Sequence, residues 1–338
     1  MAKIGVVGTG TWGTTLAIMM ARQGHHVSLV ARTEREATQL GASRENIRYL
    51  PGVPFPAGMT TTTAGVKAFG SADLVFIAVP SRTLRDNICN IREFLHGSPL
   101  IISCTKGLEY KTGKRMSEVL EEELPTSCHV GICALGGPSL AKEIIEGKPA
   151  VTVVASKKPC SAKSAQEIMN SRNFRVYTSD DIIGVEFGGA LKNIIALGAG
   201  VCDGLALGDN AKAGFMSRGL AEMGRLSAAA GANPLTFAGL SGMGDLIATC
   251  SSSMSRNHYF GEQLGKGKTV EEIQGLMNNV AEGVDTTTAV IKLAEKLGVE
   301  MPITQATHKV LFEDMRASDV MTQLLDREAN FERLDNGV

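Results

Sequence analysis

A glycine-rich hexapeptide near the N-terminus constrains the fold more than any other feature of this chain. Gly8, Gly10 and Gly13 stand at the spacing of the G-x-G-x-x-G pattern, between the apolar run Lys3–Gly8 and a stretch of helical period, Gly13–Gln23. The first glycine allows a tight turn, the second lets a pyrophosphate approach the backbone, and the third lets helix and strand pack closely. The pattern predicts a dinucleotide site at the helix N-terminus. A glycine-rich turn that binds nothing is the alternative.

The first half of the chain alternates apolar runs with helix-like stretches. The predicted strands are Lys3–Gly8, Val27–Ala31, Leu74–Val79, Leu100–Cys104, Val130–Ala134 and Ala150–Ala155. The predicted helices are Gly13–Gln23, Glu34–Leu40, Ser81–Phe94 and Lys114–Glu123. Strands separated by helix-length connections predict a mainly parallel sheet covered on both faces.

From about Asp180 onward, apolar residues recur at intervals of three and four, and no convincing strand is visible. The predicted helices are Ile182–Ala199, Ala211–Ala230, Thr269–Gln274, Thr286–Leu297 and Ile303–Phe312, with turns at Asn233-Pro234 and Gly239–Gly244. We therefore predict two domains: an α/β dinucleotide-binding domain over residues 1–182, and an all-α substrate and catalytic domain over residues 183–338.

Composition restricts the class of partner. The chain of 338 residues carries 34 Lys and Arg against 35 Asp and Glu. That balance argues against nucleic-acid and membrane-surface proteins, which favour a cationic excess. The seven cysteines lack the close pairs of a zinc site, so we expect reduced thiols, a cytoplasmic location and no metal. The N-terminus does not resemble a signal peptide, and no run approaches the roughly 18 to 20 apolar residues of a membrane span.

The end of the second predicted strand bears on the choice of cofactor. Many NAD-binding units place a carboxylate there to accept from the adenosine ribose. Here Ala31 and Arg32 occupy that place, and a guanidinium suits a 2′-phosphate, so NADPH is favoured over NADH. Glu34 and Glu36 keep NADH open, because either could reach back to a ribose hydroxyl.

Two short segments follow strand ends, where ligands of open α/β sheets bind. Lys106 comes just after the run Leu100–Cys104 and is a candidate cation for substrate or cofactor; a solvated loop lysine is the alternative. In the stretch Gly136-Gly137-Pro138-Ser139, backbone N–H groups and the Ser139 hydroxyl are candidates to hold an oxygen-rich ligand. Ser139 as a simple helix N-cap is the alternative.

Lys192 is the only charged residue in the stretch from Gly188 to Gly200. Its helical neighbours at three and four positions include no acidic residue, so a surface ion pair along one helix has no partner. The stem could still reach water. The glycines beside it leave room for a ligand or another backbone, and a partly desolvated lysine is suited to proton exchange.

Two further polar groups lie in apparent loops. Arg256, flanked by Ser255 and Asn257, is a candidate to bind a phosphate. The alternative is that this segment is a solvated surface loop. Asp245, in a glycine-rich stretch, could orient a lysine or a substrate hydroxyl, or else cap a helix.

Taken together, these segments closely resemble the bacterial-type NAD(P)-dependent glycerol-3-phosphate dehydrogenases. The matching motifs run in order from residue 8 to residue 286: GTGTWG, CTKGLE, GGPSLAKE, GGALKNIIALGAG, GLSGMGDLIATC, SSSMSRN and VAEGVDT. Two departures are mild, because Thr11 and Gly136 stand where serine is frequent. The resemblance implies a Rossmann-type domain followed by a helical domain, and a cytoplasmic homodimer.

The implied reaction is the reversible reduction of dihydroxyacetone phosphate to sn-glycerol 3-phosphate, a precursor of glycerophospholipids. The resemblance implies that Lys192 donates and accepts the proton, with Asp245 beside it and Lys106 touching cofactor and substrate. The implied substrate-binding residues are Lys106, Gly137, Ser139, Lys192, Asp245, Ser255, Arg256 and Asn257. The implied cofactor-binding residues, beyond Gly8, Gly10 and Gly13, are Thr11, Trp12, Arg32, Lys106, Ala141, Arg256, Val280 and Glu282.

Two rival functions stay open from sequence. One is a β-hydroxyacid or sugar-acid dehydrogenase, which also uses a lysine on a helix but takes a substrate with a carboxylate. The other is a non-catalytic NADPH-sensing protein. Turnover of dihydroxyacetone phosphate distinguishes both from the reaction above.

Overall fold

A computed structural model describes residues 1–277 and 281–327 of the chain. The chain divides into two compact units by its internal contacts. The first contains Met1–Lys106 and Met116–Ile182; the second contains Gly107–Arg115 and the chain from Ile183 onward.

The first unit is built on one eight-stranded sheet. Its strands are β1 (Lys3–Val7), β2 (His26–Val30), β3 (Met59–Thr62), β4 (Leu74–Ile77), β5 (Leu100–Ser103), β6 (Gly131–Gly136), β7 (Ala150–Ala155) and β8 (Phe174–Ser179). The order across the sheet is β3-β2-β1-β4-β5-β6-β7-β8, and every pair is parallel except β6 with β7. The predicted mainly parallel sheet is confirmed. The strand order reverses between β1 and β4, the position at which open α/β sheets bind ligands.

The central strand β4 is apolar and buried at every position, because both faces of the sheet are covered. Successive side chains of a strand point to opposite faces. Accordingly, Phe76 belongs to the core beneath one face, whereas its neighbour Ile77 belongs to the core beneath the other. This arrangement explains why the strands read as continuous apolar runs rather than alternating ones.

Helices cover the sheet. Those of the first unit are α1 (Thr11–Arg22), α2 (Glu34–Ser43), α3 (Val66–Phe69), α4 (Leu84–Ile91), α5 (Met116–Glu123), α6 (Ala141–Ile145) and α7 (Pro159–Met169). The predicted helix Ser81–Phe94 is α4 with a short 3₁₀ turn at each end. The sequence prediction missed β3, β8, α3 and α7.

The second unit is all-α over its described residues, as predicted. Its helices are α8 (Ile182–Gly204), α9 (Asp209–Ala229), α10 (Asp245–Ser251), α11 (Arg256–Gly265), α12 (Val270–Leu276), α13 (Glu282–Leu297), α14 (Pro302–Phe312) and α15 (Ala317–Leu325). The predicted turn Gly239–Gly244 is instead a π-helical turn, Leu240–Gly244, that runs into α10.

Helix α8 is the centre of the second unit. A Cβ at Gly200 would lie 2.0 Å from the His258 carbonyl oxygen, and a Cβ at Gly261 would lie 1.8 Å from that of Leu197. Glycines on both helices therefore let α8 and α11 approach with their backbones in contact. The same helix is anchored to the segment Gly107–Arg115 by a buried ion pair, in which Arg115 Nη1 lies 2.6 Å from Glu186 Oε2.

By length and composition alone, helix α8 could cross a membrane. The expectation that no apolar run reaches the length of a membrane span is therefore wrong. However, 94% of its most apolar window is buried inside the protein. It is a core helix, and its apolar character reflects contact with other helices on all sides.

A buried carboxylate joins two helices of this unit. Glu222 of α9 is 1% exposed, and its two oxygens accept from the backbone N–H groups of Ile303 and Thr304 at the start of α14. Burial raises the pKa of this carboxyl from 4.5 to about 8, against the opposing effect of these hydrogen bonds and of Arg225 and Arg327. The native state therefore holds a proton at pH values where the unfolded chain has lost it.

We expect this carboxyl to reduce stability as pH rises from 4.5 to about 8, since the folded state binds more protons than the unfolded state in that window. Each unit of raised pKa corresponds to about 1.4 kcal/mol. Glu222→Gln should flatten the dependence of the free energy of unfolding on pH, measured by urea unfolding at pH 5, 6, 7 and 8. Glu295→Gln, at an exposed site of α13, is the matched control. Parallel pH profiles for the parent and Glu222→Gln would contradict this assignment.

Candidate active site

In the glycine-rich turn, each glycine has the geometry that its predicted role requires. Gly8 has φ 112°, and a Cβ there would lie 2.3 Å from the Ala78 carbonyl oxygen. A Cβ at Gly13 would lie 2.0 Å from the Gly8 carbonyl oxygen, so α1 packs directly on the turn. By contrast, a Cβ at Gly10 would meet nothing within 4 Å. Space is therefore left at the second glycine, where a pyrophosphate would approach.

The N-terminus of α1 fits the same ligand. Gly10 is the N-cap of α1 and, as a glycine, offers no side chain to cap the N–H groups of the first turn. The first turn also contains no acidic residue. Backbone N–H groups and the helix dipole thus offer an anion site at the open face of the turn. These residues fit a dinucleotide diphosphate.

The surroundings of the turn include residues predicted from sequence and one that was not. Arg32 is exposed just after β2, whereas Thr11 and Trp12 are half-buried at the start of α1. Asn46, 2% exposed, donates to the Thr9 carbonyl oxygen at 2.7 Å and to the Thr14 hydroxyl at 2.8 Å. Its amide fixes the peptide between the first two glycines. No sequence pattern marked Asn46, because it lies in an irregular segment far along the chain.

A second cluster lies at the carboxyl ends of β5 and β6. Lys106 Nζ donates to the Gly137 carbonyl oxygen at 3.2 Å and to Ser139 Oγ at 3.0 Å. The structure therefore brings together the three residues that were predicted separately from two segments. Ser139 is not the N-cap of α6, since that position belongs to Leu140, and Ala141 is the first residue of the helix. The N-cap alternative for Ser139 is wrong.

Lys192 lies inside the second unit rather than in solvent. The residue is 6% exposed, and its Nζ donates to Asp245 Oδ1 at 2.5 Å and to Thr249 Oγ1 at 2.7 Å. Asp245 is 1% exposed and is the first residue of α10, with Gly244 at the N-cap. Lys192 has no acidic residue three or four positions away on α8, and its acidic partner comes from a different helix, α10. A buried, hydrogen-bonded ammonium in this setting can hold and exchange a proton.

The backbone packing beside Lys192 explains why glycine precedes it on α8. A Cβ at Gly188 would lie 2.2 Å from the carbonyl oxygen of Ser241, in the π-helical turn before α10. The close approach of this turn to α8 sets the distance from Lys192 to Asp245. Cys250 is also buried nearby, and burial raises the pKa of its thiol to about 12, while the charge of Lys192 acts in the opposite direction. This thiol stays protonated and does not compete as a nucleophile.

The segment Ser255–Asn257 begins helix α11 and is not the loop that the sequence indicated. Ser255 is the N-cap, and its hydroxyl accepts from the His258 N–H. Arg256 is the first residue of the helix and is exposed. A guanidinium at a helix N-terminus combines two favourable features for a phosphate.

Asn257 is 8% exposed, and both ends of its amide form a hydrogen bond within the protein. Its Nδ2 donates to Asn193 Oδ1, and its Oδ1 accepts from the Gly283 N–H, each at 3.0 Å. Asn193 immediately follows Lys192, and Gly283 lies in the first turn of α13, next to Glu282. The chain Asn193–Asn257–Gly283 thus links the lysine helix, the arginine helix and α13. Val280, also predicted at the cofactor site, lies outside the described residues.

Thr249 and Asn193 are further polar residues of this cluster that the sequence prediction did not single out. Thr249 follows Asp245 by four positions, the spacing that places two side chains on one helix face. That spacing could have identified Thr249 if the stretch had been recognised as helical. Asn193 directly follows Lys192, and only the long-range bond to Asn257 shows its part in the cluster.

All seven cysteines are free, and Cys104, Cys133, Cys202 and Cys250 are buried. Across the part of the chain that the structure describes, no group of three or more His, Cys, Asp or Glu residues is placed to hold a metal ion.

The parallel sheet with its switch point, the open glycine turn and the buried lysine define a nicotinamide-nucleotide-dependent oxidoreductase. Profiles of one family cover nearly the whole chain: the NAD-dependent glycerol-3-phosphate dehydrogenase N-terminus matches residues 3–162, and the C-terminus of the same family matches residues 181–322. This chain belongs to the NAD-dependent glycerol-3-phosphate dehydrogenase family.

Named relatives agree with this assignment. A Dehalococcoides mccartyi protein named glycerol-3-phosphate dehydrogenase (NAD(P)+) is 47% identical over 333 residues, covering 98% of this chain and 93% of the relative. A Chlorobium limicola protein of the same name is 48% identical over 325 residues, covering 96% and 98% respectively. The crystal structure of glycerol-3-phosphate dehydrogenase from Coxiella burnetii superimposes with a TM-score of 0.91 at 36% identity, covering 96% of this chain and 99% of that one. The predicted family and fold are confirmed.

Substitutions at Gly10 and Gly13 should separate binding from folding. Gly10→Ala places a methyl group in the open space of the turn, so we expect an unfolding midpoint within a few degrees of the parent and a loss of NADPH and NADH affinity. Gly13→Ala drives a methyl group against the Gly8 carbonyl, so we expect the unfolding midpoint itself to fall. Thermal unfolding and fluorescence titration of both cofactors would measure the two effects. Full cofactor affinity in Gly10→Ala would contradict the diphosphate assignment.

Proposed function

We propose that this chain catalyses the reversible NAD(P)H-dependent reduction of dihydroxyacetone phosphate to sn-glycerol 3-phosphate, with Lys192 as the proton donor and acceptor. One observation carries the proposal beyond family membership: the Lys192 ammonium is buried and is held by the carboxylate of Asp245 and the hydroxyl of Thr249. A buried charge is costly unless it is paired, and such charges concentrate where chemistry needs them.

Lys192 acts on the carbonyl oxygen of the substrate. Its ammonium polarises that oxygen and then gives a proton to the alkoxide that develops there, which is stabilisation by a preorganised charge. Asp245 and Thr249 hold the amine in one position, so little reorganisation is needed at the moment of transfer. In the reverse direction the neutral amine takes the hydroxyl proton. The nicotinamide, when bound, supplies or accepts the hydride at the adjacent carbon.

Arg256 anchors the phosphate of the substrate. Its guanidinium can form two hydrogen bonds to phosphate oxygens at the N-terminus of α11, where the backbone N–H groups add to the attraction. Ser255 and Asn257 flank it as further substrate-binding residues, and their bonds to His258, Asn193 and Gly283 hold the segment in place. Fixing the phosphate orients the carbonyl, which can be worth several kcal/mol.

Lys106, Gly137 and Ser139 are the remaining substrate-binding residues of this proposal, and Lys106 is also assigned to the cofactor. Their mutual hydrogen bonds support this role, because they hold the Lys106 ammonium at a strand end where ligands bind. The remaining cofactor residues in this proposal are Gly8, Gly10, Thr11, Trp12, Gly13, Arg32, Ala141, Arg256, Val280 and Glu282.

The biological setting follows from the same proposal. Residues 1–182 form the dinucleotide-binding domain, and residues 183–338 form the substrate and catalytic domain. NADPH is the preferred reductant, because Arg32 stands exposed after β2 where a 2′-phosphate would lie. The enzyme works in the cytoplasm as a homodimer and supplies glycerol 3-phosphate for glycerophospholipids.

Lys192→Met should reduce kcat for dihydroxyacetone phosphate by about a thousandfold or more, since loss of a positioned acid commonly costs 10²–10⁴ and a transition-state charge is also lost. NADPH binding, measured by fluorescence titration, should persist. Because the variant leaves Asp245 buried without its ammonium, the pair Lys192→Met with Asp245→Asn serves as a control for folding. Lys266→Met, at an exposed ion pair with Glu262 just after the end of α11, should keep parental turnover. Near-parental kcat in Lys192→Met would end the assignment.

Arg32→Ala should lower kcat/KM for NADPH by about tenfold, or about 1.4 kcal/mol. The value of kcat/KM for NADH should stay within about twofold of the parent. The physical reason is the loss of the ion pair between the guanidinium and the 2′-phosphate, a group that NADH lacks, whereas stacking of Arg32 on adenine would contribute to both cofactors. Steady-state rates with each cofactor would measure this. An equal loss with both cofactors would refute the preference for NADPH.

A further inference from the structure

Glu36 reaches back from the first turn of α2 to the end of β2. Its Oε2 accepts from the backbone N–H of Arg32 at 3.2 Å, and its Oε1 accepts from Thr9 Oγ1 at 2.5 Å. Thr9 lies between the first two glycines of the turn, and Arg32 lies just after β2. The carboxylate therefore bridges the two segments that flank the adenosine ribose in dinucleotide-binding folds.

We propose that Glu36 is a cofactor-specificity residue that accepts hydrogen bonds from the adenosine ribose hydroxyls of NADH and opposes the 2′-phosphate of NADPH. The inference rests on the proposed cofactor site at the glycine turn. The sequence has no acidic residue at the end of β2, and the structure brings one there from four positions farther along. Each carboxylate oxygen can accept more than one hydrogen bond, so the bonds to Thr9 and Arg32 leave acceptor capacity for a ribose.

Glu34 does not share this position, although both glutamates lie in the first turn of α2. The Glu34 carboxylate accepts from the Thr63 hydroxyl, just after β3, and is exposed. Of the two residues that could have reached the ribose, only Glu36 is bonded to the glycine turn. Glu34 is therefore a matched control of the same charge, helix and turn.

Glu36 and Arg32 carry opposite charges, so they have opposite effects on a phosphate at the ribose 2′-position. A 2′-phosphate carries a charge of about −1.5 to −2 near neutral pH, so a carboxylate beside it is repulsive, whereas the exposed guanidinium of Arg32 is attractive. A 2′-hydroxyl is instead a donor to the carboxylate. Glu36 thus retains NADH as a usable cofactor in a site that Arg32 would otherwise bias strongly toward NADPH.

A helix-capping role is the competing explanation, because Thr33 caps α2 and Glu36 occupies the third helical position. If Glu36 only holds the local structure in place, its removal should weaken the binding of NADH and NADPH equally. If its charge acts on the cofactor, its removal should change the ratio of the two affinities. Thr9→Val removes the hydrogen bond from Thr9 to Glu36 and keeps the negative charge of Glu36. It separates the two explanations.

The test compares (kcat/KM for NADPH)/(kcat/KM for NADH) in the parent, Glu36→Gln, Glu34→Gln and Thr9→Val. We expect Glu36→Gln to raise the ratio about tenfold, by weakening NADH and strengthening NADPH, and the two controls to stay within about threefold of the parent. An unchanged ratio in Glu36→Gln, or the same change in Thr9→Val, would overturn the proposal.

Titration of NADH and NADPH without substrate separates this inference from the proposed reaction. If dihydroxyacetone phosphate is not turned over but Glu36→Gln still changes the ratio of cofactor dissociation constants, the proposed reaction fails and the specificity role stands. If turnover holds and the binding ratio is unchanged, the specificity role alone fails.

Discussion

The buried contact between Lys192 and Asp245 is the interaction on which the local structure of the helical unit depends. Removing an ammonium and a carboxylate from water costs several kcal/mol for each ion, and the cost is offset only when geometry and additional hydrogen bonds are good. Thr249 meets this need by donating to the Asp245 carbonyl oxygen and accepting from Lys192. The π-helical turn before α10 and the glycine on α8 bring the partners to bonding distance. Much of the local backbone is thus arranged around one ion pair.

The sheet unit follows a different principle. Its central strands are largely apolar on both faces, and the candidate polar groups lie beyond the carboxyl ends of strands. The glycine turn after β1, the carboxylate that reaches the end of β2, and the lysine after β5 are three examples. Parallel strands place such groups at one edge of the sheet, which is why distant segments of sequence contribute to one surface. Asn46 and Glu36 hold this edge together through bonds to the loop around Thr9.

The elements predicted well from sequence are those with a strong local signal. β7 was predicted at its observed bounds, because its apolar run is flanked by clear breaks. β3 has the sequence Met-Thr-Thr-Thr and β8 exposes alternate residues, so neither resembles a buried strand of this sheet. Ser255–Asn257 looked like a loop because serines precede it, although Ser255 caps a helix whose buried apolar residues lie farther along. Weak local patterns of this kind are decided by long-range packing.

The sequence by itself determined the fold class, the family and the identity of the candidate residues, because glycine spacing, apolar periodicity and seven ordered motifs are properties of the chain alone. The tertiary structure decided which of these residues are partners. Lys192 meets Asp245 across 53 positions, and Thr9 meets Glu36 across 27. Contacts at such separations depend on how helices and strands pack, and packing follows from the whole set of side chains rather than from any one segment. A lysine without an acidic neighbour in sequence therefore became a paired one, and a strand end without a carboxylate acquired one.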